Sequence, residues 1–202
     1  MNDAIDRLHA LFERFPGIGP RQAGRFVQFL LRSSPSLRKE LAESVTALSG
    51  SVKQCVSCFR YFAGQAGECS LCSSPSRDSQ FLVVVAHDAD LLALERSGTY
   101  KGYYFVIGGT ISLVSEKPVG LHMRELHAIV KKRAANGLLE LIIAFPANPE
   151  GDATAIKVRE ELAEDSVTYA FKTTELGRGL STGSELEYAD QETLQSAFKN
   201  RR

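Results

Sequence analysis

The stretch CVSCFRYFAGQAGECSLC, from Cys55 to Cys72, constrains this chain more than any other. It holds all four cysteines as two C-x-x-C pairs, Cys55/Cys58 and Cys69/Cys72, with ten residues between the pairs. Two intervening residues let both thiolates of a pair turn onto one ion, and a second pair completes the tetrahedron that Zn²⁺ prefers. Gly64 and Gly67 lie where the backbone has to reverse, and Phe59, Tyr61 and Phe62 are placed to cover the site. A set of four thiolates leaves no open coordination position, so the expected Zn²⁺ is structural rather than catalytic.

Two disulfides are the first alternative. They belong to oxidising compartments, and the start MNDAIDRLHALF has neither the basic opening nor the apolar run of a secretion signal, so a cytoplasmic location is expected. A pair of neighbouring redox motifs is the second alternative.

With 202 residues the chain can bury a real core in one or two domains. Charged residues at 24% and hydrophobic residues at 44% suit a soluble globular protein. No apolar run reaches the roughly 18 residues that span a bilayer, so no membrane partner is expected. The formal net charge is zero, which would argue against nucleic acid if charge were spread evenly. It is not: residues 14–39 hold six basic groups (Arg14, Arg21, Arg25, Arg32, Arg38, Lys39) and no acid, whereas 81–202 hold 14 basic against 17 acidic groups. A solvated helix face with a chance bias of charge would read the same way.

In chain order, Asn2 or Asp3 is placed to cap a first helix with Ile5, Leu8, Leu11, Phe12 and Phe15 on one face, ending at Phe15-Pro16. Pro16-Gly17-Ile18-Gly19-Pro20 reads as a tight turn, with Pro20 opening a second helix to about Leu31. Phe26, Phe29 and Leu30 are available to pack on the first helix. The segment FPGIGPRQAGRF resembles a helix-hairpin-helix motif. Its residues Gly17, Ile18, Gly19 and Pro20 would offer backbone N–H groups to a phosphate, with Arg21 and Arg25 one turn apart beside them. The alternative is a plain helical corner whose glycines serve geometry alone. A third helix is expected over 37–48, with Leu37, Leu41, Val45 and Leu48 as its buried stripe.

A Ser/Pro linker at 73–76 places a domain boundary near Ser79. Beyond it, apolar runs alternate with helical patterns: strands at 81–85, 103–107, 139–145 and 167–171, and helices at 90–97, 121–135 and 152–163. Strands without polar alternation, separated by helices, predict a mainly parallel sheet covered on both faces. A last helix is expected over 191–199. Active-site groups of such a sheet lie beyond the carboxyl ends of its strands. Asp88 and Asp90 follow the first strand, and Glu150 and Asp152 follow the third. Acids from two neighbouring loops suit Mg²⁺, although Asp90 and Asp152 also suit simple helix caps.

These features together resemble the RecR family of bacterial recombination-mediator proteins. The resemblance spans nearly the whole chain: FPGIGPRQAGRF, the four-cysteine loop, ERSGTYKGYYFVIGGTISL, EGDATAIKV, and the end GRGLSTGSELEYADQETLQSAFKNR. It implies an α+β chain with a helix-hairpin-helix region over 1–53, a four-cysteine zinc element over 54–78, an α/β Toprim domain over 79–175 and a C-terminal segment over 176–202.

The resemblance also implies a non-enzymatic, DNA-binding mediator of recombinational DNA repair. Such a protein forms homo-dimers or ring-shaped homo-tetramers, clamps DNA, and acts with RecO or RecF to load recombinase on gapped DNA. Toprim enzymes carry a glutamate at the end of the first strand, and Ala86 stands at the matching position. That departure argues against metal-dependent phosphoryl chemistry and leaves Asp88, Asp90, Glu150 and Asp152 as a vestigial acidic site. The family's Walker-like segment is matched by residues 184–190, but no G-x-x-x-x-G-K-[ST] is present and no ATP hydrolysis is expected. His9, His87, His122 and His127 are expected in surface or capping roles. A Mg²⁺-dependent Toprim nuclease or primase, and a scaffold that binds proteins only, are the rival readings.

Overall fold

The computed structural model describes residues 3–113, 120–183 and 185–201. Asn2, one of the two proposed caps, and Ser184, the first residue of the Walker-like segment, lie outside the described residues. The chain divides into two compact units, 1–52 and 53–202.

The first unit is helical. Helix α1 spans Ala4–Phe12, a turn shorter than expected, because Glu13 closes it before the Phe15-Pro16 step. Helix α2 spans Pro20–Arg32 with Gly19 as N-cap and Pro20 at the first position. Helix α3 spans Pro35–Ser51, capped by the Ser34 hydroxyl, which accepts from the Leu37 amide at 3.2 Å. Arg38 turns back to the Leu30 and Ser33 carbonyls, satisfying acceptors that α2 leaves open at its end.

Packing in this unit differs from the expectation. Ala23 and Val27 are the buried residues of α2, while Phe29 is 61% exposed. The Phe12 and Phe26 rings meet at 5.5 Å, yet α1 and α3 bury no residue fully. Leu37, Leu41, Val45 and Leu48 of α3 are all exposed. The spacing correctly marks an apolar helix face, but among the described residues nothing covers it. Periodicity reports that a face is apolar and is silent on what packs there.

The second unit opens with β1 (Val52–Gln54) and β2 (Tyr61–Ala63), a two-stranded ribbon beside the cysteines. A four-stranded sheet follows in the order β4-β3-β5-β6, from β3 (Asp78–Val85), β4 (Gly102–Val106), β5 (Glu140–Ala144) and β6 (Lys172–Glu175). All neighbouring strands in it run parallel, as the pattern of buried runs and helices predicts. Alternate residues of β3 face opposite ways. Leu82 and Val84 join a core with Leu126 and Val130 of α5 (Met123–Ala134) and Val158 of α6 (Pro149–Glu161). Val83 and Val85 join Leu91 of α4 (Asp88–Ser97), Tyr104 and Val106 on the other face.

The expected strand over 167–171 is instead mostly helix α7 (Ala163–Tyr169), stopped by Ala170 at φ 56°, and the strand comes after it as β6. Val167, Tyr169 and Phe171 alternate as a strand would, but only Phe171 is fully buried; Tyr169 packs on the core half-buried, and Val167 is exposed. β6 is an edge strand and needs no continuous apolar run, which hid it. Helix α8 (Gln191–Lys199) matches its expected span, with Asp190 accepting from the Thr193 amide at 2.9 Å. No helix of the described residues is long and apolar enough to cross a membrane.

Candidate metal centre and nucleic-acid interface

Cys55, Cys58, Cys69 and Cys72 converge: their sulfurs all lie within 4.8 Å of one another. Among the described residues no other group of three or more His, Cys, Asp or Glu comes together in this way. The Cys58 and Cys69 sulfurs stand 3.6 Å apart. That is far from the ~2.05 Å of a disulfide and close to the ~3.8 Å edge of a tetrahedron with ~2.3 Å metal–sulfur bonds. All four cysteines are free, three of them fully buried, and the Cys69 amide donates to the Cys55 sulfur at 3.3 Å. Both the donor set and its spacing therefore fit a tetrahedral, thiolate-loving cation.

The crowded sulfurs also perturb one another. Hydrogen bonding with Cys69 and Cys72, and then burial, push the Cys58 thiol far above its ordinary value. The same bond from Cys58 holds Cys69 far below. Sulfurs this close cannot all carry charge without a cation among them, and a bound metal would supply that charge and displace the shared protons.

The metal element also closes a sheet edge. The Val106 amide of β4 donates to the Cys58 carbonyl at 2.8 Å, so the first cysteine turn satisfies a donor of that edge strand. Phe59, held at φ 61°, packs its ring on Phe105 at 5.3 Å and on His122 at 4.7 Å, while Leu71 packs on the opposite face of the sheet.

In the helical unit, the glycine hairpin forms the corner between α1 and α2. Gly17 adopts φ 74°, which a side chain would strain, and the Ile18 amide closes the turn on the Phe15 carbonyl at 3.1 Å. Gly19 gives α2 no side-chain cap. The positive end of the helix is therefore left facing outward, in the form that suits an anion. Arg21 and Arg25 are both exposed, and neither pairs with a carboxylate among the described residues. His9 braces the corner, its Nε2 3.0 Å from the Pro20 carbonyl.

The four acidic positions are each placed differently. Asp88 accepts the Tyr61 amide at 2.9 Å and so ties α4 to the four-cysteine element. Asp90 is not the N-cap of α4, which is His87, but caps it from within the first turn, accepting the His87 amide at 2.9 Å as the third residue of a capping box. Asp152 is not a cap: Asn148 fills that place, accepting from the Gly151 amide at 2.8 Å, and Asp152 instead forms an ion pair with Arg178. Glu150 lies half-buried in the first turn of α6. Ala86, directly after β3, is fully buried, and its carbonyl accepts the Gly108 amide at 3.1 Å. Glycine is required at 151, where a Cβ would overlap the Pro146 carbonyl oxygen.

His87 takes the expected capping role as N-cap of α4, and the other histidines serve as braces. His122 sits 3.3 Å from Gln54 Nε2, and His127 lies between Asp165 at 2.7 Å and Glu161 at 3.7 Å. Sequence reading missed Arg178 and the half-buried pair of Arg77 and Glu95 with the buried Tyr104. Burial alone would raise the Glu95 carboxyl, but Arg77 at 2.5 Å and the Tyr104 hydroxyl at 2.6 Å hold it below its ordinary value. None of these carries a local motif. Asn148-Pro149, by contrast, is a cap-plus-proline signal that could have been read.

The Toprim domain model matches residues 80–171, and the model for the RecR C-terminal region matches residues 179–202. Among curated relatives, the Recombination protein RecR of Prochlorococcus marinus (strain MIT 9215) is 36% identical over 197 residues, covering 98% of this chain and 94% of its own length. The protein of that name from Roseiflexus sp. (strain RS-1) is 38% identical over 200 residues, covering 98% and 93%. That of Chloroflexus aurantiacus is 39% identical over 199 residues, again covering 98% and 93%.

Proposed function

This chain belongs to the RecR family of recombination proteins, and we propose that it is a non-enzymatic mediator of recombinational DNA repair that binds DNA as a homo-oligomeric clamp. The observation that carries the DNA-binding reading is the α2 corner. An uncapped helix start, the Gly17–Pro20 hairpin and two exposed, unpaired arginines face outward together. One such corner neutralises few phosphates. Several copies on one assembly bind together through raised effective concentration, so oligomerisation is part of the mechanism. Support for assembly comes from the apolar groove of about 500 Å³ lined by Phe12, Phe15, Phe26, Phe29, Leu30 and Leu41, together with the bare face of α3. The partners inferred from the family are DNA, further copies of the chain, and RecO or RecF in loading recombinase on gapped DNA.

The cation inferred for the four-cysteine site is structural Zn²⁺, which four thiolates hold with no position open to substrate. Against phosphodiester chemistry stand Ala86 at the place of the Toprim glutamate, Asp88 bound to a backbone amide, and Asp152 paired with Arg178. Purified protein with labelled DNA and Mn²⁺ is therefore expected to leave the strands intact. Cleavage abolished by Glu150→Ala would overturn that part.

The deciding experiment is DNA binding across a salt series, with oligomeric mass recorded, for the natural protein and an Arg21→Ala/Arg25→Ala variant. The variant is expected to keep its mass, lose affinity and show a shallower salt slope. Unchanged binding would assign the corner to structure or assembly.

A further inference from the structure

A second cationic feature lies in the unit that carries the sheet. Between the four-cysteine element and α5 is a recess of about 320 Å³ whose walls include Ser57, Glu68, Tyr103, Lys132, Arg133 and Asn136. The Arg133 guanidinium lies on the Tyr103 ring, its carbon 3.5 Å from the centroid. Its Nε is buried with no hydrogen-bond acceptor, the arrangement of an N–H turned to a π face. Stacking fixes the plane of the fork, and no carboxylate pairs with it among the described residues. Lys132 beside it is exposed and equally unpaired. The recess holds one acid, Glu68, which accepts the Ser57 hydroxyl.

Basic residues in the last turn of α5 are partly explained by the helix dipole. The dipole does not explain a guanidinium pre-oriented by an aromatic ring and left without a counter-ion in a polar recess. A half-buried cation of that kind gains most from a ligand that brings its own charge and two oxygens. Two cations against one carboxylate leave a single net positive charge, which matches a phosphodiester better than a dianionic phosphate.

We propose that this recess is an oxoanion site that takes a backbone phosphate of bound nucleic acid, with Arg133 as the oriented fork and Lys132 as a flexible second charge. The site rests on the DNA-binding reading above and adds a contact apart from the α2 corner.

The test is DNA binding over a salt series for Lys132→Gln, Arg133→Gln and Arg21→Ala/Arg25→Ala, with titration of inorganic phosphate in parallel. Lys132→Gln removes an exposed, unpaired charge and is expected to leave melting temperature and metal content unchanged. It and Arg133→Gln should each flatten the log–log salt slope by about 0.9 on duplex or about 0.7 on single strands. Natural slope and affinity in both, with a loss in the Arg21/Arg25 variant, would overturn the recess while the corner stands. Phosphate binding that Arg133→Gln abolishes, without any change of DNA slope, would make the ligand a free oxoanion and overturn the nucleic-acid assignment. No DNA binding by the natural protein at low salt would sink both readings.

Discussion

At the scale of single residues, the chemistry concentrates where a side chain meets a group it cannot choose. The four cysteines have each other, in an arrangement that could hold a metal ion. Removing one ligand in Cys55→Ser should therefore release about one metal ion per chain, read by metal analysis. Metal affinity should fall as pH falls, because protons compete for the thiolates that hold the ion. Glu95 gives a separate pH signature. Its carboxyl is held below the ordinary 4.5 by Arg77 and Tyr104, so its stabilisation is complete above that value and is lost as pH drops through the folded-state value. Glu95→Gln should cost about 2 kcal/mol at neutral pH, with a flatter acid limb in urea titrations run at several pH values. At Gly151 a methyl would push on backbone rather than on a movable side chain. Gly151→Ala should lower stability by about 3 kcal/mol in the same titration.

At the scale of elements, the four-cysteine element is a cover for the β4 edge as well as a candidate metal site. It accepts the Val106 amide, sets Phe59 on one face of the sheet and Leu71 on the other. Chelation should therefore speed hydrogen exchange at Val106 more than along the β5–β6 ladder, where both strands keep their partners. Helix α3 poses the opposite case, an apolar stripe with no cover among the described residues. Leu41→Ser/Val45→Ser should leave helical circular dichroism nearly unchanged and reduce the oligomeric mass seen by light scattering. An unchanged mass would separate this face from assembly. The strand displaced from 167–171 to β6 shows the limit of pattern at this scale. Alternation in Val167, Tyr169 and Phe171 mimicked a strand, while the real edge strand, KTTE, has no apolar residue to announce it.

At the scale of the whole molecule, the first unit leaves Phe15, Phe29, Val45 and Leu48 more than half exposed, so association should stabilise it by mass action. The melting temperature of the protein should accordingly rise with concentration, and a constant value over a hundredfold range would count against an obligate assembly. The sequence by itself marked the four-cysteine cluster, the glycine corner, the three buried strands with the helices between them, and the family. Each of these is written in local spacing: two residues between cysteines, Gly and Pro at a reversal, apolar runs bounded by turns. Only the tertiary structure decided that Asp152 meets Arg178, 26 residues away, and that Asp88 meets the Tyr61 amide, 27 residues away. It alone decided that Arg133 lies on Tyr103 and that the α3 stripe stays bare within this unit. The reason is physical: helix and strand periods fix which way a side chain leaves its own element, whereas its partner is fixed by how distant elements pack, and local spacing carries no record of that.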